Sequence, residues 1–278
     1  MRVYGATRGK HIPRSKARLT AELLLRLGGQ SISRQDNLPI DAELLIQWGG
    51  TVTPALMGAY KRRVPFIILN SGYFDATRGR RFSISINGFH GISMYVDGLL
   101  DRPARAHPKI KPWRKDGEFV LILGQKPPIY EILGLQMEPW LRRTAQRAAE
   151  AFRRPALIRP HPFLPGLRQR SLQAVLEDGI YAAVTLSSNA SVATTLAGVR
   201  TLALHPTCPA QAVSIGGWES VDDDPPSNRE AWVQSLAQRE FDEFARVELD
   251  KAAAFIEEVY PAAQEHANAG QIYVKGVK

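Results

Sequence analysis

The feature that most constrains this chain is a recurrent alternation of short apolar runs of strand length with segments of helical spacing. The runs are "AELLIQW" (Ala42–Trp48), "VPFIILN" (Val64–Asn70), "FVLILG" (Phe119–Gly124), "ALIR" (Ala156–Arg159), "YAAVTL" (Tyr181–Leu186) and "RTLALH" (Arg200–His205), with Arg2–Tyr4 as a short opening strand. Runs of this length bounded by Gly and Pro read as buried strands. Between them, Leu19, Leu23 and Leu27 recur every four residues. That spacing predicts an amphipathic helix over Ser15–Leu27, stopped by Gly28 and Gly29. Pro54–Tyr60 suits a helix with proline in its first turn. Further helices are expected at 139–152, 167–177 and 190–197. Strand–helix–strand crossovers require parallel pairing, so the expected fold class is α/β.

A proline-rich, charged stretch, "ARAHPKIKPWRKDGE" (Ala104–Glu118), interrupts this alternation and reads as a linker. The chain is therefore expected to hold a Rossmann-like domain over 1–115, a second over 116–215, and a helical C-terminal segment over 216–278 that packs back on both. In that segment the pattern is helical from Asn228 to about His266, with Trp232, Leu236, Phe241, Phe244 and Phe255 as packing positions. The stretch "SGYFDATRGRRFSISINGFHG" after Asn70 reads as a long surface loop with a short strand inside it. Two such domains imply a cleft between them, and in α/β sheets ligands sit at the carboxyl ends of the strands.

Composition narrows the setting. Of the 278 residues 44% are hydrophobic, enough for real cores. No apolar run approaches the ~18 residues that span a bilayer, and the basic N-terminus lacks the apolar centre of a signal peptide. The single cysteine, Cys208, excludes an intramolecular disulfide. A soluble cytoplasmic protein is expected. Residues 1–115 carry 20 Lys and Arg against 7 Asp and Glu, a balance of +13; the remainder carries 16 against 20. Such a division predicts a polyanionic partner for the first half, against a merely solvated basic surface.

The chemistry-bearing residues follow strand ends. "LSSNAS" (Leu186–Ser191) places Ser187, Ser188, Asn189 and Ser191 around a helix start, where free N–H groups and hydroxyls suit a phosphate, or simply cap the helix. His161, between Pro160 and Pro162, has a stiff backbone that fixes its imidazole, and Arg159 could add charge beside it. Lys126 lies in the "GQKP" loop after Phe119–Gly124. "VDDDPP" (Val221–Pro226) looks like a metal motif but sits in a proline-closed loop, and no metal site is expected. "GATRGKH" is one residue short of a P-loop, with His11 in place of Ser or Thr; Gly5 and Gly9 could still offer backbone to a ligand.

"IRPHP", a following strand and "SSNASVATTLAGVRTLAL" together resemble the C-terminal domain of GT-B-fold glycosyltransferases, and most of all the capsule-type Kdo transferases. Val199-Arg200 departs from that group's proline-bearing turn. Gly72-Tyr73-Phe74, then Arg78 or Arg80 and Arg81, Asn87-Gly88 and Gly91, is similar to phage-encoded DNA-modifying glycosyltransferases. The resemblance implies two domains facing across a cleft, with a nucleotide sugar (UDP-linked) as co-substrate and no other cofactor. The donor would be held by Lys126, Arg159, Ser187, Ser188, Asn189 and Ser191, without a metal. The acceptor would meet Tyr73, Phe74, Arg78, Arg80, Arg81 and Asn87. Asp75 is the candidate base, His161 the candidate group on the leaving phosphates, and Phe89 another aromatic that could stack on a flipped base. The acceptor implied is a 5-hydroxymethyl pyrimidine in phage DNA, modified in the host cytoplasm. A surface-polysaccharide glycosyltransferase, a nucleotide-sugar epimerase and a non-enzymatic DNA-binding protein are the alternatives.

Overall fold

The computed structural model describes residues 1–8, 12–74, 81–88, 108–162 and 170–270. In chain order the elements begin with β1 (Val3–Arg8), α1 (Arg14–Arg26), β2 (Gln30–Ser33), β3 (Leu44–Trp48), α2 (Pro54–Arg62), β4 (Phe66–Ser71) and β5 (Arg81–Ile86). There follow β6 (Phe119–Leu123), α3 (Pro127–Ile132), α4 (Met137–Phe152), β7 (Ala156–Arg159), α5 (Leu172–Leu176), β8 (Ile180–Thr185), α6 (Ala190–Leu196) and β9 (Arg200–Ala203). The chain closes with α7 (Arg229–Ala237), β10 (Glu240–Asp242) and α8 (Arg246–Asn268). It divides into two compact units, the first Met1–Arg105 with Ser235–Val274, the second Ala106–Gln234 with Lys275–Lys278.

The first unit is built on a six-stranded sheet of order β10-β5-β4-β3-β1-β2. The β2-β1-β3-β4 portion is parallel; β5 runs antiparallel to β4, and β10 antiparallel to β5. Period-two alternation sends Ile67 and Leu69 of β4 and Phe82, Ile84 and Ile86 of β5 to one face. There they pack under Leu19, Leu23 and Leu24 of α1 and Phe255, Ile256 and Val259 of α8. Each such side chain contributes roughly 1.5–3 kcal/mol when fully buried. The α2 helix starts where the sequence places it: Thr53 caps it, its hydroxyl accepting the Leu56 N–H at 3.1 Å, and Pro54 opens the first turn.

The second unit carries a four-stranded, all-parallel sheet of order β7-β6-β8-β9. Leu123 pairs with Arg159 on one side and Thr185 on the other, and Thr185 with Ala203, so the four carboxyl ends lie in register. The α4 helix lays Trp140, Leu141, Ala148 and Phe152 on one side of the sheet, and Leu176, Ile180 and Val199 join the core of the other.

Several sequence expectations are corrected. The Ala156–Arg159 run is not a buried strand: β7 forms the sheet edge, and Leu157 and Ile158 are 39% and 40% exposed. The 228–266 stretch is not continuously helical, because Glu240–Asp242 supplies a partner for the otherwise open edge of β5. Trp232, Leu236, Phe241 and Phe255 are buried, but Phe244 is 71% exposed. The short strand foreseen after Asn70 exists as β5, whereas β2 and α3 carry no periodic signal and were not foreseen.

Folding also redistributes the charge. Residues 235–274, which belong to the first unit, bring 3 Lys and Arg and 8 Asp and Glu to it. The first unit thus holds 19 basic against 15 acidic residues, and the second 17 against 12. Net +4 and +5 replace the +13 and −4 of the linear division.

Candidate functional site

The registered carboxyl ends of the second unit's sheet bring three basic side chains together. Arg159 is the last residue of β7, His161 follows it by two, and Lys126 lies just past the end of β6. Gly124 makes this convergence possible. Its N–H donates to the Arg159 carbonyl at 2.8 Å, and a Cβ there would lie 3.0 Å from that oxygen and 3.1 Å from the Pro160 Cα. The His161 imidazole is pushed down from 6.5 to about 4, first by burial, then by the positive charges of Lys126 and Arg159. Burial likewise lowers the Arg159 guanidinium. Its Nη2 donates to the Arg170 carbonyl at 3.4 Å, while its Nε is buried with no hydrogen-bond partner among the described residues. A neutral imidazole held against two cations, with a buried N–H unsatisfied, is an electrostatic arrangement that an anion would relieve.

The hydroxyl-rich loop between β8 and α6 is organised from within. Ser187 is 1% exposed. Its N–H donates to Gln125 Oε1 at 3.2 Å, and its Oγ lies 3.1 Å from the Thr207 carbonyl and 3.0 Å from Thr207 Oγ1. Thr207 Oγ1 in turn lies 2.7 Å from His205 Nδ1, to which the Thr207 N–H also donates at 3.2 Å. Gln125 is itself placed by its N–H, which donates to the Tyr130 hydroxyl at 3.1 Å. Ser188 turns back on the loop: its N–H donates to Thr185 Oγ1 at 3.3 Å and its Oγ accepts the Ala190 N–H at 3.2 Å. Ser191 is buried and accepts from the Cys208 thiol at 3.4 Å. Asn189 stands at the N-cap of the seven-residue α6 without a capping bond, and its Oδ1 is buried and unpartnered among the described residues.

The residues expected to bind the donor thus separate. Lys126, Arg159 and His161 form a basic cluster, Ser188 and Asn189 lie half-buried on the adjoining loop, and Ser187 and Ser191 point into the fold. Gln125, His205 and Thr207 escaped the sequence reading. The repeated His-Pro after a strand, His161-Pro162 and His205-Pro206, was the available signal.

In the first unit, Tyr73 is buried, its hydroxyl raised by desolvation although Ser83 and Ser85 hydrogen-bond to it. Phe74 is half-buried, and its N–H donates to Glu240 Oε1 at 3.4 Å. Arg81 pairs in register with Asp242 at the sheet edge. Asn87, with φ at 50°, is fully buried: its Oδ1 accepts the Phe66 N–H at 3.0 Å and its Nδ2 donates to the Ala263 carbonyl at 2.7 Å. Its carboxamide is spent on backbone. Asp75, Arg78, Arg80, Phe89, Gly91, Gly9 and His11 lie outside the described residues. In "VDDDPP", Asp222 forms an ion pair with Arg153 at 2.7 Å. No described helix is long and apolar enough to cross a membrane.

Neither a family model nor a curated protein sequence matches this chain. Among solved structures it is similar to Thermosulfurimonas dismutans KpsC, a beta Kdo 2,7 transferase. The match has a TM-score of 0.50 and covers 94% of this chain and 100% of that one. Identity is 12%, so the likeness is one of fold.

Proposed function

We propose that this chain is a glycosyltransferase that moves a sugar from a nucleotide-sugar donor to a hydroxyl acceptor. The observation that carries the reading is the convergence of Lys126, Arg159 and His161 at the strand carboxyl ends of the second unit, where phosphates bind in α/β sheets. The fold shared with a Kdo transferase supports it. In the transfer, the acceptor oxygen attacks the anomeric carbon as the bond from that carbon to the phosphate oxygen breaks. The negative charge that grows on the departing nucleotide is met by Lys126, Arg159 and His161. Asp75 is our candidate for the group that takes the acceptor proton, and Phe74 and Arg81 are candidates for contact with the acceptor.

Two acceptors divide the reading. A 5-hydroxymethyl pyrimidine in DNA is supported by the arginine-rich run from Arg78 to Arg81 and the basic sequence around it. A saccharide hydroxyl is favoured by the similar net charge of the two folded units, and by a structural neighbour that is a Kdo transferase.

The test is nucleotide release from a panel of sugar nucleotides, with and without hydroxymethylated DNA, followed by mass spectrometry of the digested nucleosides. A sugar-sized gain on one nucleoside establishes the DNA acceptor. Release indifferent to DNA directs the search to saccharide acceptors or to an epimerase. DNA binding without release from any donor overturns the enzyme.

A further inference from the structure

We propose that His205 is a positioning residue for the anion site, acting through Thr207 and Ser187 on the loop that adjoins Lys126 and His161. The inference rests on the reading of that cluster as a nucleotide site and assigns a role to a residue outside it.

The Thr207 backbone N–H donates to His205 Nδ1 at 3.2 Å, so Nδ1 is an acceptor and the proton of the neutral ring resides on Nε2. Thr207 Oγ1, only 2.7 Å from the same nitrogen, must then supply the hydrogen between them. With its own proton committed to the imidazole, Thr207 Oγ1 faces Ser187 Oγ, 3.0 Å away, as an acceptor. The Ser187 proton is therefore directed at Thr207, toward Oγ1 or the carbonyl 3.1 Å off. The chain runs one way, Ser187 to Thr207 to His205, and the imidazole tautomer sets its direction.

This chain spans the sheet. His205 and Thr207 follow β9, Ser187 follows β8, and Gln125, which accepts the Ser187 N–H at 3.2 Å, follows β6 beside Lys126. Ser187 and Thr207 are each 1% exposed and Gln125 is 4% exposed, so none has water to fall back on. Removing this acceptor leaves the Thr207 N–H unsatisfied and frees the Thr207 hydroxyl to reverse onto Ser187 Oγ, so the Thr207 segment must shift before the N–H regains a partner. What would shift with it is the 187–189 loop, which Ser187 ties to Thr207 and which carries Asn189, whose Oδ1 is buried without a partner among the described residues.

The test compares the wild-type chain with His205→Asn, His205→Ala and Thr207→Val by calorimetric titration with UDP and with inorganic pyrophosphate, alongside thermal unfolding. Asparagine can place its Oδ1 near the position of Nδ1 and keep the acceptor; alanine cannot. We expect His205→Ala and Thr207→Val to bind both probes about tenfold more weakly, and His205→Asn to stay within about twofold of wild type, from the loss or retention of one buried hydrogen-bond acceptor. If His205→Ala lowers the unfolding temperature but the folded protein binds as wild type does, the residue is structural only and the inference is overturned. Thr207→Val binding at full strength overturns it too, even should His205→Ala fail to fold. A wild-type chain that binds neither probe overturns the nucleotide-site reading, and this inference with it.

Discussion

The Asn87 carboxamide joins two backbone segments of the first unit: Nδ2 donates to the Ala263 carbonyl at 2.7 Å, 176 residues away, while Oδ1 accepts the Phe66 N–H. Asn87 is fully buried in the left-handed region, φ 50°, so it serves both as a turn and as a clamp between β4 and α8. Asn87→Ala should destabilise the chain by about 3 kcal/mol, from a buried Phe66 N–H left unpaired, the lost second bond to the Ala263 carbonyl and a left-handed alanine. Asn87→Gly should recover only the backbone part of that loss. Urea unfolding of the two variants measures the difference. Pyrophosphate binding, which depends on the other unit, should be unchanged below the unfolding transition.

Gly124→Ala probes the opposite unit. The new Cβ would lie 3.0–3.4 Å from three backbone atoms, the Arg159 carbonyl, the Pro160 Cα and the His161 nitrogen, none of which can swing aside as a side chain can. The end of β7 must move, at a cost of roughly 1–3 kcal/mol typical of overpacking. Because Arg159 and His161 move with it, pyrophosphate affinity should fall more than stability does. Calorimetric titration beside urea unfolding separates the two losses.

The alternation of apolar runs and helical spacing made the parallel part of each sheet legible, because β3, β4, β6 and β8 are buried runs that need no tertiary context to be recognised. What was not legible depended on pairing. The sequence of β2, "QSIS", has no apolar pattern and is a strand only because β1 offers it an edge. Glu240–Asp242 sits within a helical pattern but pairs with β5. That return of the chain to the first sheet also evens out the charge of the two units, since acidic residues distant in sequence join the basic half. Lys126, Arg159 and His161 could be grouped from the sequence because each lies at or just past a strand end. Gln125 and Thr207 escaped notice because an uncharged side chain shows its role only through its partners. Ser187, read as a ligand donor, spends its proton on Thr207 for the same reason.

Cys208 should be inert in the native protein. It is 2% exposed, and burial pushes its thiol up to about 11, with the Ser191 hydroxyl and the Ala210 backbone opposing the shift. An aromatic disulfide reagent at pH 8 should therefore leave it untouched in buffer and modify it fully in denaturant. Its rate of modification in sub-denaturing urea should track local opening around α6 and β9. Rapid labelling in buffer would contradict the packing of Cys208 on Ser191.

His161 makes stability and binding respond to pH in opposite directions. Its folded pKa, about 4, lies below the ordinary 6.5, so between those values the unfolded chain binds a proton that the folded chain does not. Stability should accordingly fall as pH drops from about 6.5 toward 4, and His161→Gln should flatten that part of the profile. An anion between His161, Lys126 and Arg159 would raise the imidazole's pKa, so binding would take up a proton and pyrophosphate affinity should rise as pH falls through the same window. Lys126→Met and Arg159→Met each remove a positive neighbour and should move the His161 titration upward in imidazole NMR, while weakening pyrophosphate. Of the two effects on the ring, Lys126 should give the larger, since it is the stronger of the two charges acting there. An imidazole that titrates near 6.5 in the unliganded wild type, or does not move in either variant, would show that the three side chains do not share one field.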